Sequence, residues 1–369
     1  SFIFKAQDEI SLSSNTMLSV KLSYTPMGYK LEPYGGRDVP CYEEYGEYRW
    51  NTGVWYENET ESYAASIQLD HFAEKILGGD HEIKFGIDYR DSTSSSDSQF
   101  GNGLQAVTWD GEGYFVRVWR EVKFKYFSKR LSAFLQDTFN IKNITLLLGL
   151  RYDRQTIGSK DTVIPGTTLS EFSNIGGIDY NWAETTQKGV DFPSPFNFLS
   201  PRIGMTWDLK KNGRDVIKAN WAIYGSVLDS GYLSNFWVDS YHTFDWYDNG
   251  DLVIQANELE FYRTRDNLAT LNSIDPSLYF SDNLKPEKDM EFLLGYEKEL
   301  FEDSKIGVNL IYRHQYDLNW EVPYVWDGDT LRLIQASDWS RYQVEVNGKT
   351  YYYFDTYDAD VYDSGVSQL

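Results

Sequence analysis

Apolar and polar residues alternate with a period of two along several stretches of the chain. In 144–153, every second residue is apolar or aromatic: Ile144, Leu146, Leu148, Leu150 and Tyr152. Because successive side chains of a β-strand point to opposite faces, such a stretch predicts a strand with one apolar and one polar face. The same pattern predicts strands at about 16–27, 62–73, 81–90, 126–139, 202–209, 214–225, 288–299 and 305–313. With a short strand at the start, we expect about ten strands.

Short and long connections follow one another between the predicted strands. The short ones lie near 75–80, 140–143, 210–213 and 301–304, and 210–213 includes the tight-turn dipeptide Asn-Gly. The long connections are predicted at about 28–61, 92–124, 157–197, 228–285 and 320–369. Each strand is thus joined to one neighbour by a short turn and to the other by a long loop. This rhythm predicts an all-β, membrane-spanning antiparallel β-barrel with short periplasmic turns and long extracellular loops.

The charge of the chain is concentrated in these predicted loops. The chain has 56 acidic and 34 basic residues and a net charge of -22. The five long connections hold 36 of the acidic and 14 of the basic residues. The predicted strands and short turns therefore contain equal numbers of acidic and basic residues. Such an acidic chain repels phosphate backbones, so we expect no nucleic-acid partner.

The two faces of the predicted strands suggest two environments. Outer-membrane lipid is the expected partner of the apolar face, and a wet lumen or a plug that of the polar face. The residues predicted to face the lumen are Arg90, Arg151, Asp153, Arg202, Asp208, Lys218, Glu297 and Arg313. A soluble secreted glycan-binding β protein is an alternative. Pair starts near 62, 126, 198 and 286 lack the regular repeat of a propeller.

Tryptophan is concentrated in the long connections, which hold ten of the 12 tryptophans. Large aromatic rings can stack on sugars or anchor a protein partner. The predicted ligand-binding aromatics are Trp50, Trp55, Trp237, Trp246, Trp326 and Trp339. The alternative is that the loops fold on one another and their aromatics form small cores.

Candidate catalytic chemistry is weak in this sequence. No Gly-x-Ser-x-Gly, P-loop or His-Glu-x-x-His motif occurs, and Cys41 is the one cysteine. We therefore expect no enzyme activity and no resident cofactor. Asp245, Asp248 and Asp251 surround Asn249-Gly250 and could hold Ca²⁺ in a loop, with a plain acidic turn as the alternative.

Four segments resemble the barrel of TonB-dependent outer-membrane receptors, and the Oar-like group in particular. They are RLSAFLQDTFNIKNITLLLGLRYDRQ (130–155), HEIKFGIDYR (81–90), FLSPRIGMTWDLKKNGRDVIKANWAIYG (198–225) and the segment 283–320. The hallmarks are Gln136-Asp137 before Gly149-Leu150-Arg151-Tyr152-Asp153, Ser200-Pro201-Arg202-Ile203-Gly204, and Leu284-Lys285-Pro286-Glu287.

The resemblance implies a bacterial outer-membrane location and a 22-stranded barrel around a globular plug. It also implies import of a scarce nutrient, energised by the TonB complex through the plug. The strands found in 1–369 would then be part of the barrel, and no plug is recognised among them. A scaffold or adhesion barrel is a second membrane hypothesis, with a surface lipoprotein or another extracellular protein as partner.

Overall fold

The structure is a computed structural model. It describes residues 2–45, 47–51, 53–166, 182–273, 280, 284–301, 304–327, 330–333, 335–338, 340–346, 349–355 and 361–368. Within these residues, no helix has the length and apolar character needed to cross a bilayer.

Strands dominate the described residues, with one α-helix, α1 (Leu268–Ser273). The strands in chain order are β1 (Phe4–Ser13), β2 (Thr16–Leu31), β3 (Cys41–Glu44), β4 (Glu47–Trp50), β5 (Val54–Ile76), β6 (Gly79–Phe100), β7 (Leu104–Trp109), β8 (Glu112–Trp119), β9 (Val122–Ile141), β10 (Ile144–Ser159), β11 (Thr162–Ile164), β12 (Thr185–Gln187), β13 (Phe196–Asp208), β14 (Asp215–Gly225), β15 (Ser240–Trp246), β16 (Leu259–Asp266), β17 (Lys288–Phe301), β18 (Ser304–Tyr316), β19 (Asn319–Asp327), β20 (Thr330–Leu333), β21 (Ser340–Val346), β22 (Lys349–Asp355) and β23 (Val361–Gln368).

The largest sheet in the described part of the chain has ten antiparallel strands. Their order is β1-β2-β5-β6-β9-β10-β13-β14-β17-β18, so each strand pairs with its neighbours in the predicted hairpin sequence. The predicted pairs of strands are therefore confirmed. The turn between β5 and β6 contains Leu77 and Gly78 at φ 52° and 83°, and such left-handed residues match the twist of a two-residue hairpin turn.

One face of this sheet is apolar from strand to strand. Across β10, β13, β14, β17 and β18, register partners place one continuous row of apolar and aromatic side chains together: Leu148, Ile203, Trp221, Phe292 and Tyr312. Ile203 is 50% exposed although it lies in the middle of a sheet face. None of the described residues forms a layer over this apolar face, and such an exposed apolar surface fits a hydrocarbon environment.

Tyrosines mark the loop-side edge of the apolar face. Tyr24 and Tyr63 stack with ring centroids 4.8 Å apart, and the Tyr24 hydroxyl donates to Glu61 Oε1 at 3.0 Å. On β10, the Tyr152 hydroxyl donates to Asn197 Oδ1 at 2.8 Å. A ring on the apolar side and a hydroxyl bonded to a polar group suit the boundary between lipid and water.

The strands extend beyond the predicted limits at the loop ends. The loops were predicted to begin near 28, 92 and 157, whereas β2, β6 and β10 continue to Leu31, Phe100 and Ser159. In the extension of β6 both faces are polar over Ser92–Ser98, where this strand pairs with the segment of β5 that holds Glu57, Glu59 and Glu61. The period-two signal therefore ends where the apolar face ends, although the backbone ladder continues.

Three of the long connections combine into a second sheet. Its six strands have the order β16-β15-β8-β7-β3-β4, and β3 runs parallel to β7. The core on one side of this loop sheet contains Leu104, Val116, Phe244 and Trp246. The loops thus carry folded structure of their own.

A second apolar core lies beside the loop-side ends of the strands. It joins residues from β9, β10, β13 and two long connections, including Phe124, Ile157, Phe196, Phe236 and Phe280. Because it draws residues from both strand ends and loops, this core fixes the loops to the wall.

Candidate functional site

The charged residues predicted to face a lumen line the polar face of the ten-stranded sheet. In each strand they alternate with the apolar row, so their side chains lie on the opposite face. These residues are Arg90, Arg151, Asp153, Arg202, Lys218, Glu297 and Arg313. We call this face the polar wall.

Arg151 forms the central charge network of the polar wall. Its Nε lies 2.9 Å from Asp153 Oδ2, and Nη1 lies 3.3 Å from Asp88 Oδ2 on the second strand away. The Ser132 hydroxyl on the intervening strand donates to Asp153 Oδ1 at 2.5 Å. Both carboxylates are therefore occupied by one guanidinium, with charge-assisted bonds that cross β6, β9 and β10.

A second network crosses β14, β17 and β18 near the turns. Glu297 accepts from Lys218 Nζ at 2.6 Å and from Lys305 Nζ at 2.5 Å. Further along β17, Glu291 Oε2 lies 2.6 Å from Arg313 Nε. Paired charges on three adjacent strands suit a polar wall that faces water or another protein segment.

Two of the predicted lumen residues have other surroundings. Arg202 lies over the ring of Tyr224, 5.3 Å from its centroid. Asp208 ends β13 and accepts from the backbone N–H of Gly213 at 2.7 Å and of Lys210 at 3.3 Å. Asp208 therefore stabilises the short turn between β13 and β14. The register of β13 places it on the same face as Arg202, so its orientation toward the lumen stays a prediction.

A cavity of about 260 Å³ opens on the loop-side half of the polar wall. Arg90 and Arg130 line it and are register partners on β6 and β9. Arg90 is among the residues predicted from the sequence to face the lumen, and Arg130 is not. The pairing register of β6 and β9 brings them together, and each strand read alone does not give that register.

The predicted loop aromatics fall into different environments. Trp246 is 2% exposed in the core of the loop sheet, and its Nε1 donates to Glu258 Oε2 at 3.3 Å. Trp55 is 7% exposed beneath the guanidinium of Arg37. Burial makes both rings part of the loop framework, and their role in ligand binding stays a prediction.

Trp237 is 48% exposed and packs beside Phe124, so its ring stays accessible. Its role in ligand binding stays a prediction. Trp50 and Trp326 lie in strands β4 and β19, and their side chains are outside the described part of the structure. Trp339 also lies outside the described residues.

Arg120 holds three of the loops together. It is 3% exposed, and its Nη2 donates to the backbone oxygen of Ala183 at 2.7 Å, with longer bonds to those of Ile164 and Pro165. Its own backbone N–H donates to Ser240. Burial lowers the pKa of the Arg120 guanidinium, and the charge of Asp266 opposes that shift. The cation thus acts as a structural bridge between segments far apart in sequence.

A chain of polar contacts lies on the other face of the loop sheet. Trp119 Nε1 donates to Gln105 Oε1 at 3.0 Å, and Gln105 Nε2 donates to Glu43 Oε2 at 2.9 Å. The buried Cys41 thiol donates to Glu43 Oε1 at 3.4 Å. Burial, and then the charge of Glu43, raise the pKa of Cys41 to about 12. A thiol held so firmly protonated is a poor nucleophile.

The acidic turn considered as a Ca²⁺ site brings two of its three predicted carboxylates close together. Ligand atoms of Asp248, Asp251 and Glu258 lie within 4.8 Å of one another, whereas Asp245 lies outside this group, in β15. Asp248 and Asp251 accept from backbone N–H groups in their own turn, and Glu258 accepts from Trp246 and Asn249. A loop calcium site therefore stays a prediction, as does the expected lack of a cofactor.

A two-faced antiparallel sheet with short turns at one end and elaborate loops at the other defines an outer-membrane β-barrel wall. The family model for the TonB dependent receptor-like β-barrel matches residues 4–318. The chain therefore belongs to the TonB-dependent receptor β-barrel family and to the bacterial outer membrane. No curated protein matches the chain.

Solved structures of outer-membrane proteins align with this chain at low sequence identity. The outer membrane transporter YddB from Escherichia coli aligns with a TM-score of 0.50 and 15% identity over 95% of this chain and 36% of its own. The Escherichia coli ferric-catecholate import receptor Fiu aligns at 0.46 and 11% over 98% and 47%. The siderophore receptor PiuA from Acinetobacter baumannii aligns at 0.43 and 12% over 96% and 46%. This chain spans less than half the length of each of these proteins.

Proposed function

We propose that this chain forms part of the wall of an outer-membrane transporter that imports a scarce nutrient in a TonB-dependent manner. The polar wall would line the import path, and the loop sheet would hold the extracellular entrance in shape. The TonB complex would act through a plug that fills the barrel. The Oar-like assignment is part of the proposal and rests on the resemblance of the segments 81–90, 130–155, 198–225 and 283–320.

The observation that carries this proposal is the division of charge between the two faces of one sheet. The networks around Arg151 and Glu297 lie behind an apolar face that no layer of the described part of the chain covers. A soluble sheet would put such an apolar face inside and its charges outside. Lipid outside and a wet or plugged lumen inside account for the observed arrangement.

Open sheet edges support the partial-barrel prediction. Strands β1 and β18 are the two edge strands of the ten-stranded sheet. A membrane sheet needs partners for its edge N–H and C=O groups, because lipid offers no hydrogen bonds. We propose that further strands of a 22-stranded barrel pair with these edges.

Growth under nutrient limitation tests the transport proposal. The gene would be deleted in the parent strain and in a strain lacking TonB, and growth measured with iron, cobalamin or an oligosaccharide limiting in turn. We expect a defect under one limitation in the parent background and no added defect without TonB. Equal growth of the deletion strain and its parent under every limitation would contradict transport.

A scaffold or adhesion barrel is the second candidate because the loops form a folded sheet and carry exposed aromatic residues, such as Trp109 in that sheet and Trp237 beside it in sequence. For this function, deletion should release a surface lipoprotein or another extracellular protein from the cell surface without any growth defect. Quantitative proteomics of the shaved cell surface distinguishes the two candidates. An unchanged surface proteome would contradict the scaffold.

A further inference from the structure

We propose that the arginine pair Arg90 and Arg130 forms an anion-binding site on the polar wall, selective for carboxylate or phosphate groups. This inference deepens the proposed transport function and rests on it for the direction in which an anion would pass. The site itself rests on the geometry of β6 and β9.

The two arginines face each other directly across a strand pair. Arg90 of β6 and Arg130 of β9 are register partners, and both line the same 260 Å³ cavity. Like charges at opposed positions of neighbouring strands repel and destabilise the pair. Such an arrangement is favoured when an anion occupies the space between the two cations.

No carboxylate of the described residues neutralises either arginine. The nearest acidic residues along the wall, Asp88 and Asp153, are both bound to Arg151. Asp229 lines the cavity, but its Oδ1 accepts from the backbone N–H of Gly231 at 2.8 Å. Within the described part of the chain, neither Arg90 nor Arg130 forms an ion pair.

Hydroxyl groups complete the lining around the two cations. Ser92, Ser94, Ser128 and Tyr126 line the same cavity. The Ser92 hydroxyl already contacts Ser62 and that of Ser94 contacts Thr60, each at 2.8 Å. Two guanidinium groups with hydroxyl donors around them form the kind of donor set that binds carboxylates and phosphates.

The position of the cavity fits a transfer site for an anion. It lies between the wall strands and the loop segment Leu228–Ser230, below the second apolar core. An anion that passes the acidic outer loops would meet here two cations that have no ion-pair partner among the described residues. The cavity is large enough for a small oxyanion or the carboxylate of a larger molecule to enter.

The test is calorimetric titration of citrate and of inorganic phosphate into the purified full-length protein in detergent at low ionic strength. The variants are Arg90→Gln, Arg130→Gln and the double substitution. Lys129→Gln is the matched control, because it removes the same charge next to Arg130 while Lys129 points to the other face. Near-native circular dichroism and heat-modified gel mobility would establish that each variant is folded.

We expect the parent and Lys129→Gln to bind at least one anion with equal affinity. Each single arginine variant should bind at least tenfold more weakly, and the double variant should show no binding. Equal binding by all folded variants would overturn the proposal. So would a parent that binds neither anion, including the case in which a carboxylate of the protein's own plug fills the site and the arginine variants only lower the unfolding temperature.

This test is independent of the growth experiment. Arginine-dependent anion binding with no growth phenotype would leave the site in place and contradict transport. A TonB-dependent growth phenotype with arginine-independent binding would leave transport in place and contradict the site.

Discussion

The assignment of the apolar face to lipid can be tested with one pair of neighbouring substitutions. Leu294 on β17 is 43% exposed on the apolar face, between Ala219 and Leu310 on the adjacent strands. Arginine there would place a cation among hydrocarbon chains. Near the midplane of a bilayer this costs about 2–4 kcal/mol in a transmembrane barrel. At about 1.4 kcal/mol for each factor of ten, the folding equilibrium constant should fall roughly 30- to 700-fold.

The control is Leu293→Arg, one residue away on the same strand. Leu293 lies on the polar wall, with Asn220 and Ile311 as register partners, so its arginine would face water or a plug. We expect a cost below about 1 kcal/mol, as for an arginine outside the lipid-facing region. Equal length, charge and strand position isolate the effect of the face.

The assay is equilibrium unfolding of the full-length protein in phospholipid vesicles with guanidinium, followed by tryptophan fluorescence. The dependence of the unfolding free energy on denaturant should match among the three proteins, so that their free energies can be compared. A Leu293→Arg cost equal to or larger than that of Leu294→Arg would refute the face assignment. So would a Leu294→Arg cost below about 1 kcal/mol.

Three further predictions concern the wall and the loops. Replacing Arg151 by methionine leaves two partly buried carboxylates without their cation and should lower the unfolding free energy by about 1–3 kcal/mol in the same assay, whereas an unchanged value would contradict a stabilising network. Burial lowers the pKa of His242, against the opposing charge of Asp266, so the unfolded loop takes up more protons below about pH 6.5. The loop sheet should therefore lose stability as the pH falls through that range, seen as faster intrinsic-rate-corrected amide exchange in β15 at pH 5.5 than at pH 7.5; equal protection would contradict this. Cys41 is fully buried and its pKa is raised to about 12, so iodoacetamide at pH 8 should modify it at least a hundredfold more slowly in the folded than in the denatured protein. Mass spectrometry measures both rates, and similar rates in the two states would contradict a buried thiol.

The ten wall strands could be predicted from sequence because each has two different environments. Where lipid meets one face and water the other, as along Ile144–Tyr152, period-two alternation is imposed on the residues. The short turns between strands predicted which strands pair as hairpins. Beyond the apolar band this signal disappears, and the extension of β6 through Ser92–Ser98 therefore lay in a predicted loop.

The loop sheet could not be predicted from alternation. Strand β7, Leu104–Trp109, is buried on both faces, so its residues show no period of two. Its parallel pairing with β3 joins segments more than 60 residues apart in sequence. The burial of Trp246 depends on that pairing, which is why the sequence could not separate framework aromatics from accessible ones such as Trp237.

The sequence predicted on which face of the sheet a site residue lies, but not which residue it contacts. Alternation identified Arg90 and Arg151 as polar-wall residues. Alternation did not show that Arg151 forms ion pairs with both Asp88 and Asp153. It also did not show that Arg90 lies opposite a second arginine, Arg130. Partners across a sheet depend on register, and register is set by turns and by the apolar face as a whole.

The orientation of the sheet in the outer membrane is the central claim, and labelling of intact cells tests it most directly. Glu112→Cys would place a thiol at the exposed tip between β7 and β8, and Asn212→Cys at the short turn between β13 and β14. The native Cys41 is buried and gives a low background. A membrane-impermeant maleimide should label Glu112→Cys in intact cells and Asn212→Cys only after the outer membrane is permeabilised. Labelling of Asn212→Cys in intact cells, or protection of Glu112→Cys, would contradict the account.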